Sequence, residues 1–254
     1  MPNIQCFDDA EQVSRAAADE FVRLGREAIA ALGRFTVVLA GGSTPRRMYE
    51  LLAGPPWRDQ LDWGPVEFFL GDERAVPPDH ADSNYRMAHE AMLKKLPIPA
   101  GRIHRLQAER ADRDAATADY QAEIARVFGI PPTADPPAFD LVLLGMGPDG
   151  HTASLFPHTA ALEERTRWVV ANHVPKLGAD RLTMTTAVLN RAACVLFLVA
   201  GADKATTLAE VLEGPADPAR LPAQLTRPHP GTLEWLVDRA AAVQLTWTKS
   251  ETPL

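Results

Sequence analysis

Three short runs constrain this chain more than anything else in it. Phe35–Ala40, Phe139–Leu144 and Cys194–Ala200 are almost uninterrupted apolar stretches rich in Val, Leu and Phe. None alternates apolar with polar residues, as a strand with one wet face would; a strand covered on both faces reads this way. The longest apolar stretch, Ala192–Ala202, has 11 residues and is too short to cross a bilayer as a helix. Helical periodicities lie between the runs. Val13, Ala17, Phe21, Leu24, Ala28 and Leu32 form one apolar stripe, with Asp8 and Glu11 spaced as a capping box before it and Gly33 as its stop. Further strands are expected at Val66–Leu70, Ile103–Leu106 and Trp168–Ala171, with Val243–Trp247 as a last edge strand. Further helices are expected from Ser83 to about Leu96 and over Glu109–Phe128, Leu182–Asn190, Lys204–Leu212 and Thr232–Ala242. Buried strands alternating with helices specify an α/β fold: a mostly parallel sheet, helices on both faces and right-handed crossovers. The Pro-rich patches at 54–57, 130–132 and 135–137 fall between elements, so residues 1–254 read as a single α/β domain.

Composition closes off several function classes. Hydrophobic residues make up 46% and charged residues 23%, which argues against a disordered or fibrous chain. A net charge of −7 disfavours a phosphate-backbone binder, so no nucleic-acid partner is expected. It leaves room for a small anionic substrate held by a few local cations and amides. The N-terminal residues show no basic segment followed by an apolar one, so neither a signal peptide nor a membrane partner is expected, and the location expected is cytoplasmic. Cys6 and Cys194 are far apart and make no zinc or CxxC pattern, and Cys194 reads as a small core residue. No long apolar helix face stands out as an interface, which favours a monomer over a homodimer.

In an open α/β sheet ligands sit beyond the carboxyl ends of the strands, so the loops that follow the strands carry the chemistry. After the first buried run comes Ala40-Gly41-Gly42-Ser43-Thr44-Pro45-Arg46. With Thr44 as N-cap and Pro45 at the first helical position, free amides would face an anion; the plainer alternative is a tight, well-capped turn. It is neither a dinucleotide nor a triphosphate loop. After Val66–Leu70 comes Gly71-Asp72-Glu73-Arg74, where the arginine is either an oriented donor for an oxyanion or half of a solvated ion pair. His80, Asp82, Asn84, Tyr85 and Arg86 are candidate pocket walls, with His80 and His89 individually weak. The richest segment is Gly145-Met146-Gly147-Pro148-Asp149-Gly150-His151-Thr152-Ala153-Ser154. It sets an aspartate and a histidine side by side in a glycine-rich turn at a strand end, and a histidine can take a proton from water near neutral pH. His151 and His158 without further ligands do not make a metal site, and Ser154 is not in a nucleophile elbow. Lys204, expected in a helix's first turn, is either a phosphate ligand or a solvated lysine. His229 reads as structural, before Pro230-Gly231 at a helix start.

Together these segments resemble the 6-phosphogluconolactonases along nearly the whole chain. The resemblance rests on Ala40–Pro45, Gly71–Val76, His80–Tyr85, Gly145–Pro157, Arg181–Thr185 and Gly201–Ala205, in that order and spacing. It implies a modified Rossmann-like fold and hydrolysis of 6-phospho-D-glucono-1,5-lactone to 6-phospho-D-gluconate, in the oxidative pentose phosphate pathway, with no metal or organic cofactor. It implies that His151 is the general base, oriented by Asp149 or by backbone, and that Arg74 faces the lactone end. The 6-phosphate would sit on Gly42, Ser43 and Thr44 with Arg181 and Lys204 closing around it, and Asp72 counts with the substrate-binding residues. The related glucosamine-6-phosphate isomerases, or deaminases, are the main alternative. They carry Asn-Glu-Pro where this chain has Leu155-Phe156-Pro157, so the glutamate of their ring-opening relay is absent. A sugar-phosphate-binding module without turnover is the second alternative; it would have no need of His151, Asp149 and Arg74 together.

Overall fold

The computed structural model describes Asn3 to Thr246. Among the described residues, ten strands form two sheets. The strands are β1 (Asn3–Phe7), β2 (Phe35–Leu39), β3 (Val66–Leu70), β4 (Asp72–Arg74), β5 (Ile103–His104), β6 (Leu141–Gly145), β7 (Val169–Val174), β8 (Ala179–Met184), β9 (Cys194–Val199) and β10 (Thr232–Asp238). The helices are α1 (Ala10–Leu32), α2 (Ser43–Leu52), α3 (Asn84–Ala91), α4 (Arg113–Phe128), α5 (Thr186–Leu189), α6 (Ala205–Glu213) and α7 (Arg239–Ala242). The main sheet has seven strands in the order β1-β10-β9-β6-β2-β3-β5, and every pairing in it is parallel. A three-stranded antiparallel sheet, β4-β8-β7, sits beside it.

The apolar runs behave as their composition requires. Every residue of β2, β3 and β9 is buried, which a parallel sheet achieves only when both of its faces are covered. Phe197 of β9 and Trp235 of β10 stack with ring centroids 3.9 Å apart, and Phe69 of β3 meets Phe139 edge-on at 5.2 Å. Helix α1 lays the expected stripe, Val13, Ala17, Phe21 and Ala28, into this core and stops at Gly33, whose φ of 72° is the left-handed conformation glycine tolerates. Its cap is Asp9, not Asp8: the Asp9 carboxylate accepts from the Gln12 amide at 2.9 Å. The Gln12 side chain accepts from the amide of Asp8, the residue before the cap, at 3.4 Å, so the capping box that the spacing predicts is only partly made. Ser83 does cap α3, but that helix ends at Ala91 and a 3₁₀ turn over Leu93–Lys95 follows. Asp112 caps α4, so that helix begins a few residues after Glu109.

Two expected helices are strands. Leu182–Met184 belongs to β8, which pairs with β4 on one side and β7 on the other; only Thr186–Leu189 beyond it is helical. Thr232–Asp238 is β10, bonded to β9 and β1, and only Arg239–Ala242 of the expected span is helix. Both segments are short and rich in Leu, Thr and Val, so their own periodicity cannot separate the two states and pairing on both edges decides. Pro230-Gly231 therefore opens a strand. A side chain on Gly231 would stand 1.9 Å from the Ala192 carbonyl, so glycine lets the chain pass close to the entry of β9. The expected last strand is not one: Val243–Thr246 is irregular, and Trp247 lies outside the described residues. Among the described residues no helix is long and apolar enough to cross a membrane.

Candidate active site

Strands β9, β6, β2 and β3 are consecutive in the sheet, and the chain runs one way from β2 through β3 and the other way from β6 through β9. The loops leaving β2 and β6 therefore diverge and leave a crevice at the carboxyl ends. A cavity of about 270 Å³ fills it, lined by Gly42, Ser43 and Thr44 after β2, Asp72 and Arg74 after β3, Gly147 and His151 after β6, and Lys204 after β9. Residues from four separate loops, singled out in the sequence, are thus brought together.

The phosphate-type loop differs in detail from the expectation. Gly42 is the N-cap, at φ 106°, and α2 begins at Ser43 with no side chain capping it. Thr44 is therefore not the cap and Pro45 is the third helical residue. Proline is tolerated there because first-turn amides have no partner within the helix. The open end of a ten-residue helix faces the cavity without a capping oxygen, where an anion is favoured. Lys204 ends a 3₁₀ turn, Ala202–Lys204, and precedes α6, so it sits at the cap and not inside the first turn. Its side chain is largely buried and pairs with Asp203 at 2.8 Å.

The His151–Asp149 pair is formed. His151 Nδ1 donates to Asp149 Oδ1 at 2.5 Å, which leaves Nε2 as the nitrogen that can accept a proton. The hydrogen bond from His151 holds the Asp149 carboxyl well below the usual range, against its partial burial, and Lys176 adds to this with its ammonium 3.0 Å from Oδ2. Phe156 stacks on the imidazole with centroids 4.0 Å apart. Gly147 explains the glycine in the turn: a Cβ there would lie 2.1 Å from the His151 ring. The loop binds to itself, with Gly147 N on His151 O at 2.8 Å, Gly150 N on Gly147 O at 3.0 Å and Thr152 Oγ1 on Gly145 O at 2.9 Å. The amides of Gly147 and Gly150 are thereby used within the loop.

Arg74 lines the cavity, donates to the Asp82 carbonyl at 2.5 Å and keeps a buried Nε with no partner among the described residues. Arg181 stands directly across from it in the β4–β8 register, also with an unpartnered buried Nε. Burial, then the neighbouring Arg74 charge, lower the Arg181 pKa. Arg181 neighbours Arg74 across the β4–β8 pairing and is not among the residues lining the 270 Å³ cavity.

Sequence reasoning missed the frame behind these groups. Asp72 is buried and held by Asn84 Nδ2 at 3.1 Å and Ser154 Oγ at 2.6 Å. Asn84 in turn occupies the space above Gly41, where a Cβ would meet its Oδ1 at 2.1 Å. Glu73 is not half of a solvated ion pair: it is buried and accepts from Ser83 Oγ, the Asn84 amide and the Tyr85 amide at 2.7–3.0 Å. Burial raises its pKa despite these bonds. The Ser83-Asn84-Tyr85 run, with a helix-capping serine, was the available signal. A larger, more apolar cavity of about 520 Å³ lies on the far side of Asp149, lined by Pro148, Phe156, Val174, Lys176 and Leu221 among others. Among the described residues no three His, Cys, Asp or Glu side chains converge as a metal set.

Residues 8–235 match the family model described as "Glucosamine-6-phosphate isomerases/6-phosphogluconolactonase". A 6-phosphogluconolactonase of Synechocystis sp. is 45% identical over 219 residues, 86% of this chain and 88% of that one. One from Nostoc sp. is 43% identical over 218 residues, with the same coverage of both chains. The solved structure of 6-phosphogluconolactonase from Trypanosoma cruzi superposes with a TM-score of 0.84 at 28% identity, covering 97% of each chain.

Proposed function

The chain belongs to the glucosamine-6-phosphate isomerase/6-phosphogluconolactonase family, and we propose that it hydrolyses 6-phospho-D-glucono-1,5-lactone to 6-phospho-D-gluconate with His151 as the general base. The observation that carries this reading is the His151–Asp149 hydrogen bond of 2.5 Å at one wall of a cavity that also holds the uncapped end of α2 and Lys204. A base and an anion site share one crevice, as a phosphorylated ester substrate requires.

The chemistry follows from the parts. The 6-phosphate rests on the amides and hydroxyls of Gly42–Thr44 with Lys204 beside it, and its binding energy holds C1 within reach of water. His151 Nε2 takes a proton from that water as the oxygen attacks C1. Asp149 stabilises the resulting imidazolium. Negative charge grows on the carbonyl oxygen, and we assign Arg74 as the donor that meets it, its Nε being buried without a partner among the described residues and Arg181 lying opposite it in the strand register. The amides of Gly147 and Gly150 are occupied by the loop, so this role falls mainly to arginine. The C1–O5 bond then breaks and the imidazolium returns its proton to O5. No covalent nucleophile is needed, since a δ-lactone carbonyl is already reactive. Ser154, spent on Asp72, is not free to be one.

The isomerase reading is disfavoured by Phe156. An apolar ring stacks on His151 in the segment where the isomerases carry their relay glutamate. The test is lactone loss above its spontaneous rate, with EDTA present. His151→Ala is expected to lower kcat by roughly 10²–10⁴-fold with an unchanged thermal melt. An unaltered kcat would remove His151 from the reaction, and no acceleration by the wild-type chain would refute the activity.

A further inference from the structure

Asp149 has two carboxylate oxygens and both are engaged, Oδ1 also accepting from the His151 amide at 3.4 Å. Oδ1 accepts from His151 Nδ1 at 2.5 Å, and Oδ2 accepts from Lys176 Nζ at 3.0 Å. Lys176 comes from another part of the fold. It sits in the Pro175–Leu177 turn at the tip of the β7–β8 hairpin, which Gly178 closes in the left-handed conformation at φ 57°. The lysine lines the 520 Å³ cavity beside Asp149 and is not among the residues lining the cavity that His151 faces, so its contact with the pair is through the carboxylate. We propose that Lys176 is a positioning residue for the His151–Asp149 pair: it fixes the carboxylate with Oδ1 toward the imidazole, and its charge restrains how strongly that carboxylate favours the imidazolium. The inference rests on the base assigned to His151 above.

Two consequences follow from the geometry. A carboxylate gripped at both oxygens cannot rotate about its terminal bond, so the imidazole keeps one orientation between turnovers. A cation 3.0 Å from Asp149 also offsets part of the negative field that the imidazolium would feel. Without Lys176, the Asp149 carboxylate would favour the imidazolium more strongly. The remaining charged groups near the pair are Lys204, Arg74 and Asp72 on the active-site side, and Glu210 paired with Arg220 at 2.7 Å, with His158, on the other. None of them pairs with Lys176, whose one ion pair among the described residues is with Asp149, so a difference between variants reports that contact.

The test compares wild type, Lys176→Met and Lys176→Arg in the full chain. His151 is titrated by the NMR signal of its ring Cε1 proton, identified by its disappearance in His151→Asn, and kcat/KM for the lactone is followed across the same pH range. The expected result for Lys176→Met is a midpoint moved upward by roughly 0.3–1 pH unit, since the lysine is exposed and screened, in both the titration and the acid limb of the rate profile. Lys176→Arg should restore both. An unmoved midpoint, or a fall in kcat/KM by one factor at every pH, would overturn the proposal, because a merely structural lysine gives the latter. The titration needs no turnover. A chain that fails to hydrolyse the lactone would refute the proposed function and still leave the coupling of Lys176 to His151 decided by NMR.

Discussion

The smallest feature with the largest chemical consequence is the missing side chain of residue 147. The His151 ring lies where a Cβ of that residue would be, 2.1 Å from Cε1 and Nδ1. Gly147→Ala must therefore displace the imidazole and crowd Asp149 Oδ1, which a Cβ would meet at 2.9 Å, and so disturb the pair. Misplacing a reacting group by about 1 Å can cost on the order of 10²-fold, and a fall in kcat of that size with a native melting temperature is expected. Steady-state kinetics alongside thermal denaturation would check it; full activity would mean the ring has another seat. At this scale the sequence was informative where chemistry is local. Asp149, Gly150 and His151 are neighbours, and a glycine-rich turn advertises them. It was silent where partners are remote: Ser154 reaches Asp72 across 82 positions, and Lys176 reaches Asp149 across 27. No spacing rule encodes such meetings.

Among the elements, α3 shows how a binding wall is anchored. Its N-terminal amides at Asn84 and Tyr85 and the hydroxyl of Ser83 all end on the one buried carboxylate of Glu73. Glu73→Ala would leave buried donors without acceptors, at a cost of roughly 1–3 kcal/mol. It would also loosen Asn84, and through it Asp72. Urea unfolding should show the loss as a lower midpoint with an unchanged slope; a midpoint equal to wild type would show that water replaces the carboxylate at no cost. Elements with a strong pattern were readable from the residues, as α1, β2, β3 and β9 demonstrate. β8 and β10 were not, because each mixes polar and charged residues with apolar ones and its state is chosen by strands on either side. β1 escaped notice for a different reason: it is an edge strand with mostly exposed side chains and so carries no apolar signature.

Taken whole, the molecule has an uneven response to acid. Hydrogen bonds hold Asp149 below the usual carboxylate range, chiefly that from His151. Glu164 is also lowered: burial opposes its charge, but the amides and side chains of Arg167 and Thr166 win. Glu123 is lowered by Arg126 first and also by His104. Such groups add stability above their unfolded values near pH 4, and that stability is lost as the pH falls through and below that point. Glu73 runs the other way: its raised value means stability declines as pH climbs from its unfolded value through its folded one. Glu11, Glu90 and Asp203 are lowered as well and Glu234 is raised by burial, so six lowered carboxylates against two raised ones among the described residues predict a net loss below about pH 4, seen as a falling urea midpoint between pH 5 and 3; a flat profile there would show that the lowered carboxylates gain nothing from the fold. The sheet order carries a consequence of another kind, in time. Among the described residues strand β1 pairs only with β10, Asn3 opposite Glu234, so the two are joined across nearly the whole chain. A ribosome adding about 5–20 residues per second needs on the order of 10–50 s to make that stretch. During the wait β1 has no partner, and the uncharged run Cys194–Val199 of β9 has one open edge, the kind of segment that pairs with its own copies. The speed of translation, and whatever shields the nascent chain, therefore decide how much of this protein reaches the folded state.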